Sequence, residues 1–116
     1  MAFKFTRARG VAADLEVIFD FLVASAEGFG EDTETAFAMA QRRIGQIEAD
    51  MERLGDAPLQ GSLRPHLGQG IRNVTKGRAV FYFDADERAE TVRILAVFFG
   101  GQDHDTRILL RLLTGS

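Results

Sequence analysis

Apolar and polar residues alternate with a period of two at the start of the chain, where Phe3 and Phe5 are interleaved with Lys4, Thr6 and Arg7. Successive side chains of a strand point to opposite faces, so this pattern predicts a short opening strand. From Val11 the period changes. Val11, Leu15, Ile18 and Leu22 are spaced by four, three and four, which makes them one stripe of a helix whose other face is expected to carry Asp14, Glu16 and Asp20. Gly28 and Gly30 break it. A second helix is predicted from Asp32 or Thr33, either of which can cap the free amides of a first turn, with Glu34 near the positive end of the dipole. Its stripe of Phe37, Ala40, Ile44, Ile47, Met51 and Leu54 is the most regular in the chain, and Gly55 and Pro58 stop it.

The second half reads as strands. Ile71–Val74 and Arg78–Phe83 flank Thr75-Lys76-Gly77, a short turn with glycine where a hairpin wants it. Asp84 to Glu90 reads as a polar turn, and Thr91–Phe99 is the longest strand, apolar on both faces near its centre. Residues 103–113 can form a final short helix with Ile108, Leu109, Leu112 and Leu113 as its apolar face. The order β-α-α-β-β-β defines an α+β fold in which a helical hairpin packs on an antiparallel sheet. Phe37, Ile44, Ile47 and Met51 are expected to face Phe81, Phe83, Ile94 and Ala96.

Composition narrows this to one domain over residues 1–116: 46% hydrophobic and 27% charged residues suit a core-forming globular chain rather than a disordered one. The absence of cysteine excludes a disulfide framework, a Cys-ligated zinc site and a thiol nucleophile. The alternating N-terminus is unlike a secretion signal, and Asp14, Glu16, Asp20 and Arg93 interrupt the apolar segments before any reaches the roughly 18 residues that span a bilayer. A cytoplasmic protein with no membrane contact is expected.

Charge is segregated beneath a net −3. The opening residues carry Lys4, Arg7 and Arg9, the helical region 13–56 is strongly acidic, and residues 57–83 hold Arg64, Arg72, Lys76 and Arg78 with no acid at all. Local fields of this kind steer partners. No phosphate-binding loop is present, Gly68-Gln69-Gly70 is not a dinucleotide fingerprint, and His66 and His104 belong to no spaced ligand cluster, so neither a metal nor a cofactor is expected. His104, beside Asp103, is the better-placed histidine. If the last strands pair as hairpins, Arg72, Arg78, Tyr82 and Arg93 come from neighbouring strands, with Val80 and Tyr82 on the face of Arg78 and Phe81 and Phe83 on the other. Guanidinium groups there can grip phosphates or carboxylates with two-pronged hydrogen bonds.

These pieces in this order resemble the RelE/ParE superfamily of toxins from bacterial toxin–antitoxin pairs, especially its ParE-like plasmid-stabilisation branch. The resemblance rests on Ala13-Asp14-Leu15 with Ile18 and Phe21, on Ala36 to Leu54, Pro58-Leu59 and Gly70-Ile71-Arg72, and on Val80 to Phe83, Arg93 to Val97, Gly100 and Asp103. It implies a β-α-α-β-β-β fold, action inside bacterial cells, and neutralisation by a small ParD-like antitoxin that wraps the toxin. RelE-like members cut messenger RNA on the ribosome with a basic site containing tyrosine or histidine, whereas ParE-like members are associated with poisoning DNA gyrase. The ParE-like pattern ends its last strand as apolar-His-Gly-x-Arg-Asp; here Phe99 and Gln102 stand at the His and Arg positions.

A net −3 chain with an acidic helical hairpin is poorly suited to a dense phosphate surface, which favours a gyrase-binding toxin over an endoribonuclease. Arg64, Arg72, Arg78, Arg93 and Asp103 are then the expected target-binding residues, and Ile108, Leu109, Leu112 and Leu113 the antitoxin-binding ones. The alternative, a ribosome-dependent nuclease that contacts nucleic acid directly, would use Arg72, Arg78, Tyr82 and His104. A non-toxic, antitoxin-binding relative is a third reading.

Overall fold

Asp32 sets the start of the second helix: its side chain accepts a 2.8 Å hydrogen bond from the backbone N–H of Thr35, at a residue whose own backbone is extended. The computed structural model describes residues 2–100 and 104–114, with 104 and 105 as backbone only. Among these residues the chain runs β1 (Lys4–Arg7), α1 (Val11–Gly28), α2 (Thr33–Arg53), a 3-10 turn (Leu54–Asp56), β2 (Ser62–Leu63), β3 (Ile71–Lys76), β4 (Ala79–Asp86), β5 (Thr91–Phe99) and α3 (His104–Thr114). The hydrogen bond holds the Asp32 carboxyl below its ordinary value of 3.8, first through the Thr35 backbone N–H and then through the Thr35 hydroxyl. A depressed acid contributes stability above its unfolded value and loses it as pH falls through the folded one. Asp32→Asn keeps a capping oxygen without the titration. The stability margin of the native chain over Asp32→Asn should therefore shrink on acidification below about pH 4, read from thermal unfolding across that window.

The strands form one sheet in the order β1-β5-β4-β3-β2. Its neighbours from β2 to β5 are antiparallel, as the hairpin pattern predicts, while β1 lies parallel to β5 at one edge with Phe5 opposite Val92. β4 runs on to Asp86, so the first part of the expected polar turn is strand. Lys76 pairs with Ala79, which leaves Gly77 and Arg78 alone as the turn. β2 is an addition to the expected order; two residues are too few to show a period.

Two apolar clusters lie on opposite faces of this sheet. Against the helical hairpin pack Phe81, Phe83, Val92 and Ile94 with Val11, Ile18, Ile47 and Met51, with Ile44 half-buried beside them. Phe37 departs from the expected set: it is partly exposed and meets Phe19 of α1 edge-on at 5.4 Å, bridging the two helices. Ala96 departs too. Tyr82 pairs with Ala96 but Phe83 pairs with Ile94, so Leu95 is an extra residue in β5. This bulge reverses the alternation of the strand beyond it. Ala96 and Phe98 therefore join Tyr82, Val80, Leu95 and Ile71 on the far face, while Val97 and Phe99 return to the hairpin side.

The far face is covered by α3, whose Ile108 is fully buried in it. Beyond Ile94 the outer edge of β5 meets no strand among the described residues, since the pairing of β1 ends there. Asp14 of α1, expected on a solvated face, is instead 8% exposed and accepts the Val97 N–H at 3.1 Å on that edge. Arg111 of α3 clasps the same carboxylate with both terminal nitrogens and donates to the Leu95 carbonyl at 3.2 Å. One buried ion pair thus serves two backbone groups and fastens α3 to α1 and β5. Among the described residues, no helix is long and apolar enough to cross a membrane.

Candidate functional site

The sheet disperses the arginines that sequence order brings onto neighbouring strands. Arg72, opposite Phe83, donates to the Leu59 carbonyl at 2.8 Å and ties the loop after α2 to β3. Arg78 lies at the other end of the strand pair, in the turn, about 15 Å away by strand rise. Arg93 lies across from Asp84 and pairs with it at 3.1 Å. Arg64 follows β2, half-buried, with its backbone N–H on the Ile71 carbonyl at 2.7 Å. These four residues do not converge.

Tyr82 is 1% exposed, edge-on to Phe98 at 5.9 Å and in one cluster with Ile108. The face expected to be polar is apolar here because α3 covers it. A phenol so placed cannot pass a proton to a bound substrate while α3 stays docked. Asp103 lies outside the described residues, as does the side chain of His104, the first residue of α3.

Of the leucine-rich end, Ile108 is a core residue rather than a contact surface and Leu112 is half-buried. Leu109, Leu110 and Leu113 are exposed, Leu113 by 75%. Together with Val17 of α1, Leu110 borders a cleft of about 410 Å³ whose floor is Asp14, Val97 and Arg111. An amphipathic helix that shows apolar residues on its outer side as well is an incomplete surface.

A second constellation forms where α2 meets the β3–β4 turn. The guanidinium of Arg43 lies 5.5 Å from the centre of the Phe99 ring and that of Arg78 lies 5.3 Å from it. Gly77, with φ of +61°, lets the turn pass beneath Arg43: a Cβ there would sit 2.6 Å from Nη2 of that arginine. Arg43 also donates to the Gln46 side chain at 3.0 Å. Among the described residues neither arginine is ion-paired. Sequence reading missed Arg43, although its spacing of three from Ala40 and four from Ile47 places it on the flank of the buried stripe.

This fold, an αα-hairpin on one face of a mixed sheet with a C-terminal helix on the other, is similar to that of chains in two solved toxin–antitoxin structures of the RelE/ParE kind. A chain of the toxin–antitoxin complex RelBE2 from Mycobacterium tuberculosis is 17% identical, with a TM-score of 0.55 over 88% of this chain and 95% of that one. A chain of the chromosomal ParDE toxin–antitoxin system from P. aeruginosa is 24% identical, with a TM-score of 0.56 over 86% of this chain and 98% of that one. No family model matches the sequence, and no curated protein does.

Proposed function

We propose that this chain is the toxin of a type II toxin–antitoxin pair of the plasmid-stabilisation kind, acting in the bacterial cytoplasm by binding DNA gyrase and neutralised by a ParD-like antitoxin. The observation that carries the reading is the fold, shared along nearly the whole chain with members of two toxin–antitoxin complexes. The choice of a protein target over RNA cleavage is supported by the burial of Tyr82 and the dispersal of Arg72, Arg78 and Arg93, because a nuclease needs its acid, base and charge-stabilising groups within reach of one phosphate. The exposed Leu109, Leu110 and Leu113 are a surface for the antitoxin to cover.

Purified protein assayed for gyrase supercoiling and for ribosome-dependent cleavage of messenger RNA tests this directly. The expected result is gyrase inhibition with no cleavage, lost in part with Arg78→Ala and kept by Tyr82→Phe and His104→Ala. Cleavage abolished at least a hundredfold by Tyr82→Phe or His104→Ala, with gyrase untouched, would reverse the assignment. In cells, expression should arrest growth with a DNA-damage response, and co-expression of the adjacent gene's product should restore it.

A further inference from the structure

Helix α1 packs against α2, with Phe19 on Phe37, but leaves one side of the seam open. Between them lies a groove of about 360 Å³ whose apolar walls include Leu22, Ala26, Phe29 and Met39, and whose rim carries Arg42 and Arg43, with no acidic side chain among the described residues that line it. Phe29, at the end of α1, is 92% exposed, and Met39 is nearly half exposed. The groove shares Arg43 with the Phe99 site, and so leads onto Arg78. Aromatic, methionine and arginine side chains around an open groove are the composition of protein–protein hot spots, not of a phosphate track, which would be basic without the apolar walls.

We propose that this groove and the Arg43–Arg78 pair dock an acidic amphipathic segment of the antitoxin, with apolar side chains against Phe29 and Met39 and a carboxylate across the two guanidinium groups. The inference rests on the toxin reading above and goes beyond it by assigning a second contact surface, on the opposite face of the sheet from α3. Charge decides the occupant. Both guanidinium groups are held at one ring with no counter-charge among the described residues, so a basic or neutral segment would leave them unpaired at a desolvated contact, while a carboxylate completes them.

Calorimetric titration with the product of the open reading frame adjacent to this chain's gene tests the assignment, using the full chain and the variants Arg78→Glu and Met39→Asp. Both positions are exposed, and retained thermal unfolding midpoints report an intact fold. Arg78→Glu should raise Kd about a hundredfold and flatten its salt dependence, and Met39→Asp should raise it about tenfold. Kd values within threefold of the native chain for both variants, with binding instead abolished by Leu113→Asp, would overturn the assignment and leave the toxin reading standing. A wild-type chain that does not bind the adjacent product at all would remove the toxin reading and this inference together. Arg78→Glu that spares the protein partner but abolishes binding of a single-stranded RNA oligonucleotide would reassign the pair to phosphate.

Discussion

Replacing Asp14 by alanine should destabilise the fold by about 3–5 kcal/mol, because it removes one half of a buried ion pair and strands the other. Two losses combine. The Arg111 guanidinium, only 16% exposed, is left without its carboxylate, and the Val97 N–H on the strandless edge of β5 is left without an acceptor. The double replacement Asp14→Leu with Arg111→Met should recover much of the loss, since an apolar pair of similar volume removes the charge from the interior, while the Val97 N–H and Leu95 carbonyl remain unsatisfied at a residual cost of about 1–3 kcal/mol. Urea unfolding of the two single variants and the double gives the coupling energy. Asp14→Ala costing less than about 1 kcal/mol would mean that water, not Arg111, satisfies this carboxylate in solution.

Arg111→Ala is the informative partner to that experiment. It should free α3 while leaving the hairpin and sheet associated, because the cluster around Phe81, Ile47 and Met51 lies on the face that α3 does not touch. Tyr82 and Phe98 would then become accessible. α3 thus both hides the tyrosine on which a nuclease mechanism would depend and displays the leucines that a partner could cover.

The helices were legible in the sequence because each buries one face and exposes the other, so the apolar stripe survives unbroken from Ile44 to Leu54. The hairpin of β3 and β4 was legible from its glycine turn. What escaped reading was long-range. Asp14 lies three residues after Val11 and four before Ile18, on the buried stripe itself, but its charge suggested solvent; only the arrival of Arg111, 97 positions later, makes burial tolerable. The face of Tyr82 was read as polar for a related reason, since alternation along β4 is blind to a covering helix contributed from the end of the chain. Arg43 and Arg78 come from different halves of the chain and meet only because Phe99 is turned toward them, and that orientation follows from the bulge at Leu95.

Deleting Leu95 should lower stability yet keep the other residues of β5 on their native faces, because the bulge places Leu95 and Ala96 on the same side. With Leu95 gone, strict alternation from Ile94 sends Ala96 and Phe98 to the α3 face and Val97 and Phe99 to the hairpin, which is where they already lie. The pairs Tyr82–Ala96 and Phe83–Ile94 need no extra residue between them. What is lost is local. The Leu95 side chain, 5% exposed, leaves the cluster of Tyr82 and Ile108, and losing a large buried side chain costs about 2–5 kcal/mol. Arg111 also loses the Leu95 carbonyl. Leu95→Ala trims the same side chain and keeps the bulge. Both variants should therefore unfold cooperatively by circular dichroism with lowered midpoints, the deletion having the lower of the two. A deletion variant with no cooperative transition, beside a Leu95→Ala variant that unfolds cooperatively, would show that the bulge itself holds β5 in register.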